Sequence, residues 1–139
     1  MYIVIGGGGI AGAALAKALI DLKHDVVVIE PNREACEALY AETGAVTVNG
    51  SATDIRTLKE AGTERADVAI ACMYRDADNM SFSLLSRSLG VPRIISKMRD
   101  PNYEAAFEAA GVNFVCDMIS MLRTEVLEDL EKATEPVSL

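Results

Sequence analysis

Gly6-Gly7-Gly8-Gly9-Ile10-Ala11-Gly12 is the stretch of sequence that decides the fold of this chain. It follows a short apolar run at residues 2–5 and leads into an alanine- and leucine-rich segment at residues 10–22. A β-branched run, then glycines, then a helical pattern is typical of a buried strand that turns tightly into a helix. The chain is therefore predicted to begin with a strand–turn–helix unit.

Two registers of the pattern G-x-G-x-x-G fit these glycines. One uses Gly7, Gly9 and Gly12, and the other uses Gly6, Gly8 and Ala11. We prefer the first register, because the face of the helix then continues directly from Gly12. In that register the first glycine allows a tight turn, the second lets a pyrophosphate approach the main chain, and the third allows close packing of helix on strand.

An acidic residue at the end of the next predicted strand completes the motif. Glu30 follows the apolar run at residues 26–29 and lies 18 positions after Gly12, close to the roughly 20 expected for a carboxylate that binds ribose hydroxyls. A carboxylate here favours NAD(H) or another adenosine nucleotide over NADP(H), because it repels a 2′-phosphate. Arg33 keeps the 2′-phosphate interpretation open. A purely structural glycine turn beside a solvated Glu30 is the further alternative.

The rest of the chain continues the alternation of strand and helix. Apolar runs predict further strands at residues 26–29, 45–48, 68–71, 93–96 and 112–116. Helical patterns occur at residues 33–42, 54–61, 77–89, 101–110 and 118–133. Runs that are apolar throughout are expected of strands covered on both faces. We therefore predict a Rossmann-like, doubly wound, six-stranded parallel sheet with helices on both faces, formed by residues 1–139 as a single domain.

Composition and charge argue against several classes of function. Thirteen Lys and Arg residues against 21 Asp and Glu give a net charge of −8, which disfavours binding to nucleic acid or to an anionic membrane. One histidine, His24, and three scattered cysteines predict neither a metal site nor a disulfide framework. No apolar stretch approaches the ~20 residues of a membrane span, so we expect no direct membrane insertion.

The sequence resembles the TrkA N-terminal domain family, also called KTN or RCK domains, which regulate potassium channels and transporters. The glycine turn and Glu30 contribute to this resemblance, as do three later segments: Asn49-Gly50-Ser51-Ala52-Thr53-Asp54, Leu89-Gly90-Val91-Pro92 and Asp100-Pro101-Asn102-Tyr103. The resemblance covers residues 1–120. It implies a nucleotide lying across the carboxyl ends of the strands.

The resemblance also implies which residues bind that nucleotide. Its phosphates would face the glycine turn and its ribose would face Glu30, while adenine or its ribose would lie at the end of the third strand and a second nucleoside at the fourth. The expected binding residues are Gly7, Gly8, Gly9, Ile10, Ala11, Gly12, Glu30, Ser51, Ala52, Thr53, Cys72, Met73, Asn79 and Lys97.

Four residues, in three segments, depart from the family pattern. Ile10 stands where many members have an arginine that neutralises terminal phosphates, and Ser51 replaces an aspartate. Tyr74 and Arg75 replace a small acidic turn, and Arg75 is a hypothetical substitute phosphate partner. These departures favour NAD(H) as the cofactor, with ADP, ATP or AMP as alternatives.

The expected function is a nucleotide-binding regulatory subunit of a potassium transporter or channel, and not an enzyme. The alternatives are the cofactor domain of an NAD-dependent oxidoreductase and a nucleotide sensor for another transporter. The resemblance implies a homodimer or a larger ring, a cytoplasmic location and attachment to the inner face of the membrane through a transporter partner. Residues 118–133 either cover the sheet of their own chain or, as the resemblance implies, cross to a neighbouring subunit.

Overall fold

A computed structural model describes residues 1–134 of the chain. Its six strands are β1 (Tyr2–Gly6), β2 (Asp25–Glu30), β3 (Val46–Asn49), β4 (Val68–Ala71), β5 (Arg93–Met98) and β6 (Phe114–Asp117). Its helices are α1 (Ile10–Asp21), α2 (Arg33–Thr43), α3 (Ile55–Glu60), α4 (Asp76–Ser88), α5 (Glu104–Ala109) and α6 (Met118–Thr134). Short 3-10 turns occupy Thr63–Arg65 and Pro101–Tyr103. The predicted alternation of strand and helix is confirmed.

The six strands form one parallel sheet in the order β3-β2-β1-β4-β5-β6. The chain begins in the middle of the sheet, builds outward through β2 and β3, and then returns to the other side of β1 with β4. This reversal of strand order is the point at which doubly wound sheets leave a crevice at their carboxyl edge. The predicted Rossmann-like fold is confirmed, and β1 lies at its switch point.

Apolar side chains on the two faces of the sheet form two separate cores. Phe82 of α4 and Phe107 of α5 are fully buried in one core, together with Leu58 of α3. Ala16 of α1 and Leu39 of α2 pack on the opposite face, against β1, β2 and β4. Both faces of the central strands are therefore covered, as their continuously apolar sequences predict.

The segment at residues 101–110 differs from its predicted single helix. It divides into a 3-10 turn and α5, because the side chain of Asp100 accepts a hydrogen bond from the Asn102 amide and caps the turn that Pro101 begins. Strand β6 also starts later than predicted. Val112 donates its amide to Phe107 in the helix-ending turn, and Gly111 adopts a left-handed φ of 88°. Val112 is thus part of the helix stop and not of the strand.

The last helix does not cover the sheet of its own chain. None of the residues of α6 is buried, and Leu122 is 62% exposed. On the face that carries α1, the outer strands β5 and β6 also leave Phe114 exposed and Ile95 partly exposed. The expectation that α6 packs onto its own sheet is therefore wrong, and two apolar surfaces stay open in the described part of the chain. Among residues 1–134, no helix is both long and apolar enough to traverse a bilayer.

Candidate functional site

A cleft of about 400 Å³ opens at the carboxyl edge of the sheet, where β1 lies between β2 and β4. Gly7 and Gly9 of the glycine turn lie between its two sides. The β2 and β3 side carries Glu30, Ser51, Ala52 and Thr53, whereas the β4 side carries Cys72, Met73, Tyr74 and Asp78. The cleft is therefore two-sided, with the glycine turn between the halves.

The glycine turn is held by close contacts that exclude larger residues. Gly7 has a φ of 109°, which L-residues rarely adopt, and its amide donates to the Ile29 carbonyl over 2.9 Å. A side chain on Gly12 would collide with the carbonyl oxygen of Gly7. The first and third glycines of the preferred register are thus required by the fold itself.

Gly9 is different, because nothing in the fold requires a glycine there. Its φ of −73° and ψ of −164° are open to any residue, and a Cβ built on it meets no atom within 4 Å. At Gly6 and Gly8, by contrast, an added Cβ would approach Phe82 to 2.8 Å and Glu30 to 3.0 Å. The empty space beside Gly9 is what a ligand that approaches the main chain needs.

The same residue caps α1 without supplying a side-chain acceptor. Gly9 is the N-cap, and within residues 1–134 no side chain accepts a hydrogen bond from the first turn of the helix. Ile10 and Ala11 begin that turn, and their amides have no partner inside the helix. Together with the helix dipole, such amides bind phosphate without a cationic side chain.

The Glu30 carboxylate is fixed by two main-chain amides. Gly8 donates to its Oε1 over 3.0 Å, and Asn32 donates to its Oε2 over 2.6 Å. A carboxylate offers about four acceptor sites, so about two stay available on a side chain that lines the cleft. Two acceptors held in one orientation match the two adjacent hydroxyls of a ribose.

On the other side of the turn, Cys72 follows β4 and is partly buried. Its amide donates to the Gly6 carbonyl over 2.8 Å, which continues the β1–β4 pairing to the edge of the cleft. Burial raises the pKa of the Cys72 thiol, and the charge of Lys97 offsets that rise only in part. The thiol is therefore protonated at neutral pH and acts as an apolar part of the cleft wall.

Asn79 lies behind the cleft wall, fully buried in α4. Its Oδ1 accepts from the Met73 amide over 2.8 Å, and its Nδ2 donates to the carbonyls of Met73 and Lys97. The side chain is occupied by the main chain of the loop after β4. In this structure it shapes the wall and does not line the cleft.

The remaining predicted residues occupy several places. Ser51 and Thr53 share a hydroxyl–hydroxyl hydrogen bond of 2.8 Å at the mouth of the cleft. Ile10 is 95% exposed and borders a neighbouring groove between α1 and α2. Gly8, Ala11, Gly12 and Lys97 do not line the cleft. The binding role of every residue in the predicted set stays a prediction.

Four residues that line the cleft were not among the predicted binding residues: Ile29, Pro31, Tyr74 and Asp78. One candidate, Arg75, lies elsewhere. The positions of Asp78 in the first turn of α4 and of Pro31 directly after Glu30 are the signals that could have identified these two residues. Arg75 lines a separate depression of about 840 Å³ beside Arg99. The charged side chains of the cleft, among the described residues, are thus the two acids Glu30 and Asp78.

His24 lies far from these groups, in the turn between α1 and β2 at the amino ends of the strands. In residues 1–134 no three His, Cys, Asp or Glu side chains cluster as metal ligands would. The cleft thus combines Gly9 at the start of α1, a fixed acidic acceptor at Glu30 and an apolar wall at Cys72.

Comparison with known proteins identifies relatives over most of the chain. A family model described as the TrkA-N domain matches residues 2–117. A Trk system potassium uptake protein TrkA homolog from Methanothermobacter thermautotrophicus is 39% identical over 83% of this chain and 53% of its own length. A homolog of the same description from Archaeoglobus fulgidus is 35% identical over 93% of this chain and 32% of its own length. The chain thus spans about half or less of these curated relatives.

Solved structures give the same picture of the fold. The TrkA-N domain of the inner membrane protein ybaL from Escherichia coli superposes with a TM-score of 0.86 at 22% identity, covering 93% of this chain and 96% of that one. The GsuK channel bound to NAD superposes with a TM-score of 0.74 at 30% identity, over 82% of this chain and 21% of that one. GsuK bound to ADP superposes with a TM-score of 0.75 at 29% identity, over 84% of this chain and 31% of that one.

Proposed function

Because the chain belongs to the TrkA-N domain family, we propose that it is a nucleotide-binding regulatory module of a potassium transporter or channel. The observation that carries the proposal is the presence of two features in one cleft. The start of α1 beside Gly9 has no side-chain cap, and two main-chain amides hold the Glu30 carboxylate. The first suits a phosphate and the second suits a ribose.

NAD(H) is the nucleotide that these features favour. The cleft extends to both sides of the glycine turn, which matches a ligand with a nucleoside at each end of a pyrophosphate. Its charged side chains are acidic, and Ile10 at the start of α1 carries no charge. A triphosphate needs cations that this cleft does not present, whereas a pyrophosphate diester is served by main-chain amides. The GsuK structures with NAD and with ADP support the broader class of adenosine nucleotides.

A binding module fits the residues better than an enzyme does. Hydride transfer to a substrate normally needs a proton donor or acceptor beside the nicotinamide. His24 lies at the amino ends of the strands, whereas the cleft lies at their carboxyl ends. Burial raises the pKa of the Cys72 thiol, so this thiol stays protonated at neutral pH. In the described part of the chain, neither His24 nor Cys72 supports the oxidoreductase alternative.

Regulation requires the nucleotide to favour one arrangement of subunits over another. The open face of α6, with Leu122 and Val126 about half exposed or more, and the exposed Phe114 on β6 are suited to contacts between copies of this chain. We propose a homodimer or larger ring, on the cytoplasmic side of a membrane, that transmits the bound state to a potassium-transporting partner.

Calorimetric titration of the protein with NAD+, NADH, ADP, ATP and NADP+ tests the proposal, with the oligomer mass measured in each state by light scattering. We expect saturable binding of NAD+ and NADH, loss of binding in Gly9→Val, weaker binding in Glu30→Ala, and a mass or shape that changes with ligand. Glu37→Ala, which removes an exposed acid on α2, is the control for Glu30→Ala. Failure of all five nucleotides to bind at millimolar concentration would refute the proposal.

Leu122→Glu tests the oligomer. It places a charge on the open face of α6 and is expected to lower the oligomer mass without unfolding the domain, since none of the residues of α6 is buried. Glu128→Gln, on the same helix, is the control. An unchanged mass would show that α6 does not hold copies together.

A further inference from the structure

The peptide group between Pro31 and Asn32 has a hydrogen bond on each side. Its carbonyl accepts from Nδ2 of Asn49 over 2.9 Å. Its N–H, which belongs to Asn32, donates to Oε2 of Glu30 over 2.6 Å. A trans peptide is planar and places its C=O and N–H on opposite sides. One rigid plane therefore connects the Asn49 amide to the Glu30 carboxylate.

The neighbouring peptide group does not depend on Asn49 in the same way. The Glu30 carbonyl accepts from Nδ2 of Asn49 over 3.1 Å, but also from the Gly50 amide over 3.1 Å and from Sγ of Cys36 over 3.3 Å. For the Pro31 carbonyl, the described residues provide one hydrogen bond, and it comes from Asn49. Loss of the Asn49 amide thus removes the hydrogen bond on the carbonyl side of the Pro31–Asn32 plane, while the end of β2 stays paired and Asn32 still caps α2.

We propose that Asn49 is a positioning residue for nucleotide specificity: by fixing the Pro31–Asn32 peptide it aims the Glu30 carboxylate at the ribose hydroxyls. The inference rests on the proposed function, since it assumes that Glu30 receives the ribose. Asn49 lies at the end of β3 and acts across the sheet, 19 positions from the acid that it orients. It does not line the cleft and need not touch the nucleotide.

The expected consequence is a change in discrimination and not only in affinity. In the unaltered protein a fixed Glu30 accepts the ribose hydroxyls of NAD+ and repels the 2′-phosphate of NADP+. Asn49→Ala loosens the support of Oε2 while Gly8 still holds Oε1, so the ratio of NAD+ to NADP+ affinity should fall by about three- to tenfold, the value of one hydrogen bond. A general loss of stability would lower the affinities for NAD+ and NADP+ by the same factor and leave their ratio unchanged.

The experiment is calorimetric titration of the full chain with NAD+ and NADP+ in six proteins: the unaltered chain, Asn49→Ala, Asn113→Ala, Cys36→Ala, Glu30→Gln, and Glu30→Gln combined with Asn49→Ala. Asn113 is the matched control, because its exposed side chain also bonds to the main chain of a neighbouring strand, in this case by accepting a hydrogen bond from the Ile94 amide on the β5 and β6 side of the sheet. Cys36→Ala removes a contact to the Glu30 carbonyl and leaves the Pro31–Asn32 peptide held. Both controls should keep the ratio of the unaltered protein.

In the Glu30→Gln background, whose own ratio is measured alongside, Asn49→Ala should change the ratio no further. Asn49→Ser replaces Asn49→Ala if thermal unfolding shows that the alanine variant is not folded. An unchanged ratio in the folded Asn49 variant, or an equal fall in Asn113→Ala, would overturn the inference and leave nucleotide binding intact. Binding of neither nucleotide by the unaltered chain would overturn the proposed function, and this inference with it.

Discussion

The main-chain amide of Gly8 donates to Oε1 of Glu30 over 3.0 Å, so the glycine turn and the acidic end of β2 form one hydrogen-bonded unit. The turn proposed to face the phosphates is thereby connected to the side chain proposed to face the ribose. Because this bond joins two parts of the protein itself, it restricts the orientation of the carboxylate, and a side chain held in one orientation needs less ordering when it binds a ligand.

Substitution by alanine should lower the stability of the domain much more at Gly12 than at Gly9. Gly12→Ala forces a methyl group onto the Gly7 carbonyl, and we expect it to cost ~2–3 kcal/mol of unfolding free energy. Gly9→Ala enters open space with an ordinary backbone conformation, and should change stability by less than about 1 kcal/mol. Urea unfolding of both variants measures the difference. Equal losses would mean that Gly9 is structural.

Asn79→Ala should destabilise the domain strongly. The substitution leaves the Met73 amide and the carbonyls of Met73 and Lys97 without their buried partner, at a cost of ~3 kcal/mol. Asn102→Ala, at an exposed asparagine in the 3-10 turn, is the control and should stay within about 0.5 kcal/mol. A small effect at Asn79, measured by chemical denaturation, would contradict its assignment as a brace of the cleft wall.

Ile10→Arg should shift nucleotide preference toward triphosphates. The side chain is 95% exposed at the first position of α1, beside the uncapped amides, so a guanidinium there meets the terminal phosphates of ATP. We expect ATP affinity to rise about tenfold and NAD+ affinity to change little. Ile10→Gln, a polar residue without charge, controls for loss of the apolar side chain. An equal gain for both nucleotides would indicate a general electrostatic effect.

Alkaline pH should destabilise the fold through its thiols. Burial raises the pKa of both Cys72 and Cys116 above the value of a free thiol. The unfolded chain therefore ionises first, so the stability from these groups is complete below about pH 8.5 and is lost as pH rises through the folded pKa values. Urea unfolding at successive pH values should show a flatter decline for the Cys72→Ala, Cys116→Ala double variant. Tyr2, whose pKa burial also raises, adds a further loss at higher pH in both proteins. Identical pH profiles of the two proteins would contradict this account.

The order of elements was predictable from sequence because it is local information. Each strand is a short apolar run, and each break is marked by a residue with a conformational role, such as Gly62 or Pro101. The glycine turn and Glu30 were found for the same reason, since their spacing follows from one strand–helix–strand unit.

The contacts that shape the cleft were not predictable in this way. The Asn49 side chain donates a hydrogen bond to the Pro31 carbonyl, 18 positions away in the sequence. The side-chain amide of Asn79 donates to the main-chain carbonyls of Met73 and Lys97. Such hydrogen bonds depend on how strand ends meet in three dimensions, and no periodicity of the sequence records them. Asp78 likewise lines the cleft from the first turn of α4, a contact that depends on how α4 packs beside the strand ends.

Because the apolar face of α6 is open, the stability of this chain should depend on the concentration of any molecule that covers that face. Any surface that covers Leu122, Val126 and their neighbours binds the folded chain and not the unfolded one. By mass action such a partner raises the unfolding temperature in proportion to the logarithm of its concentration. A melting temperature measured in dilute solution would then be lower than the one measured at concentrations where the face of α6 is covered.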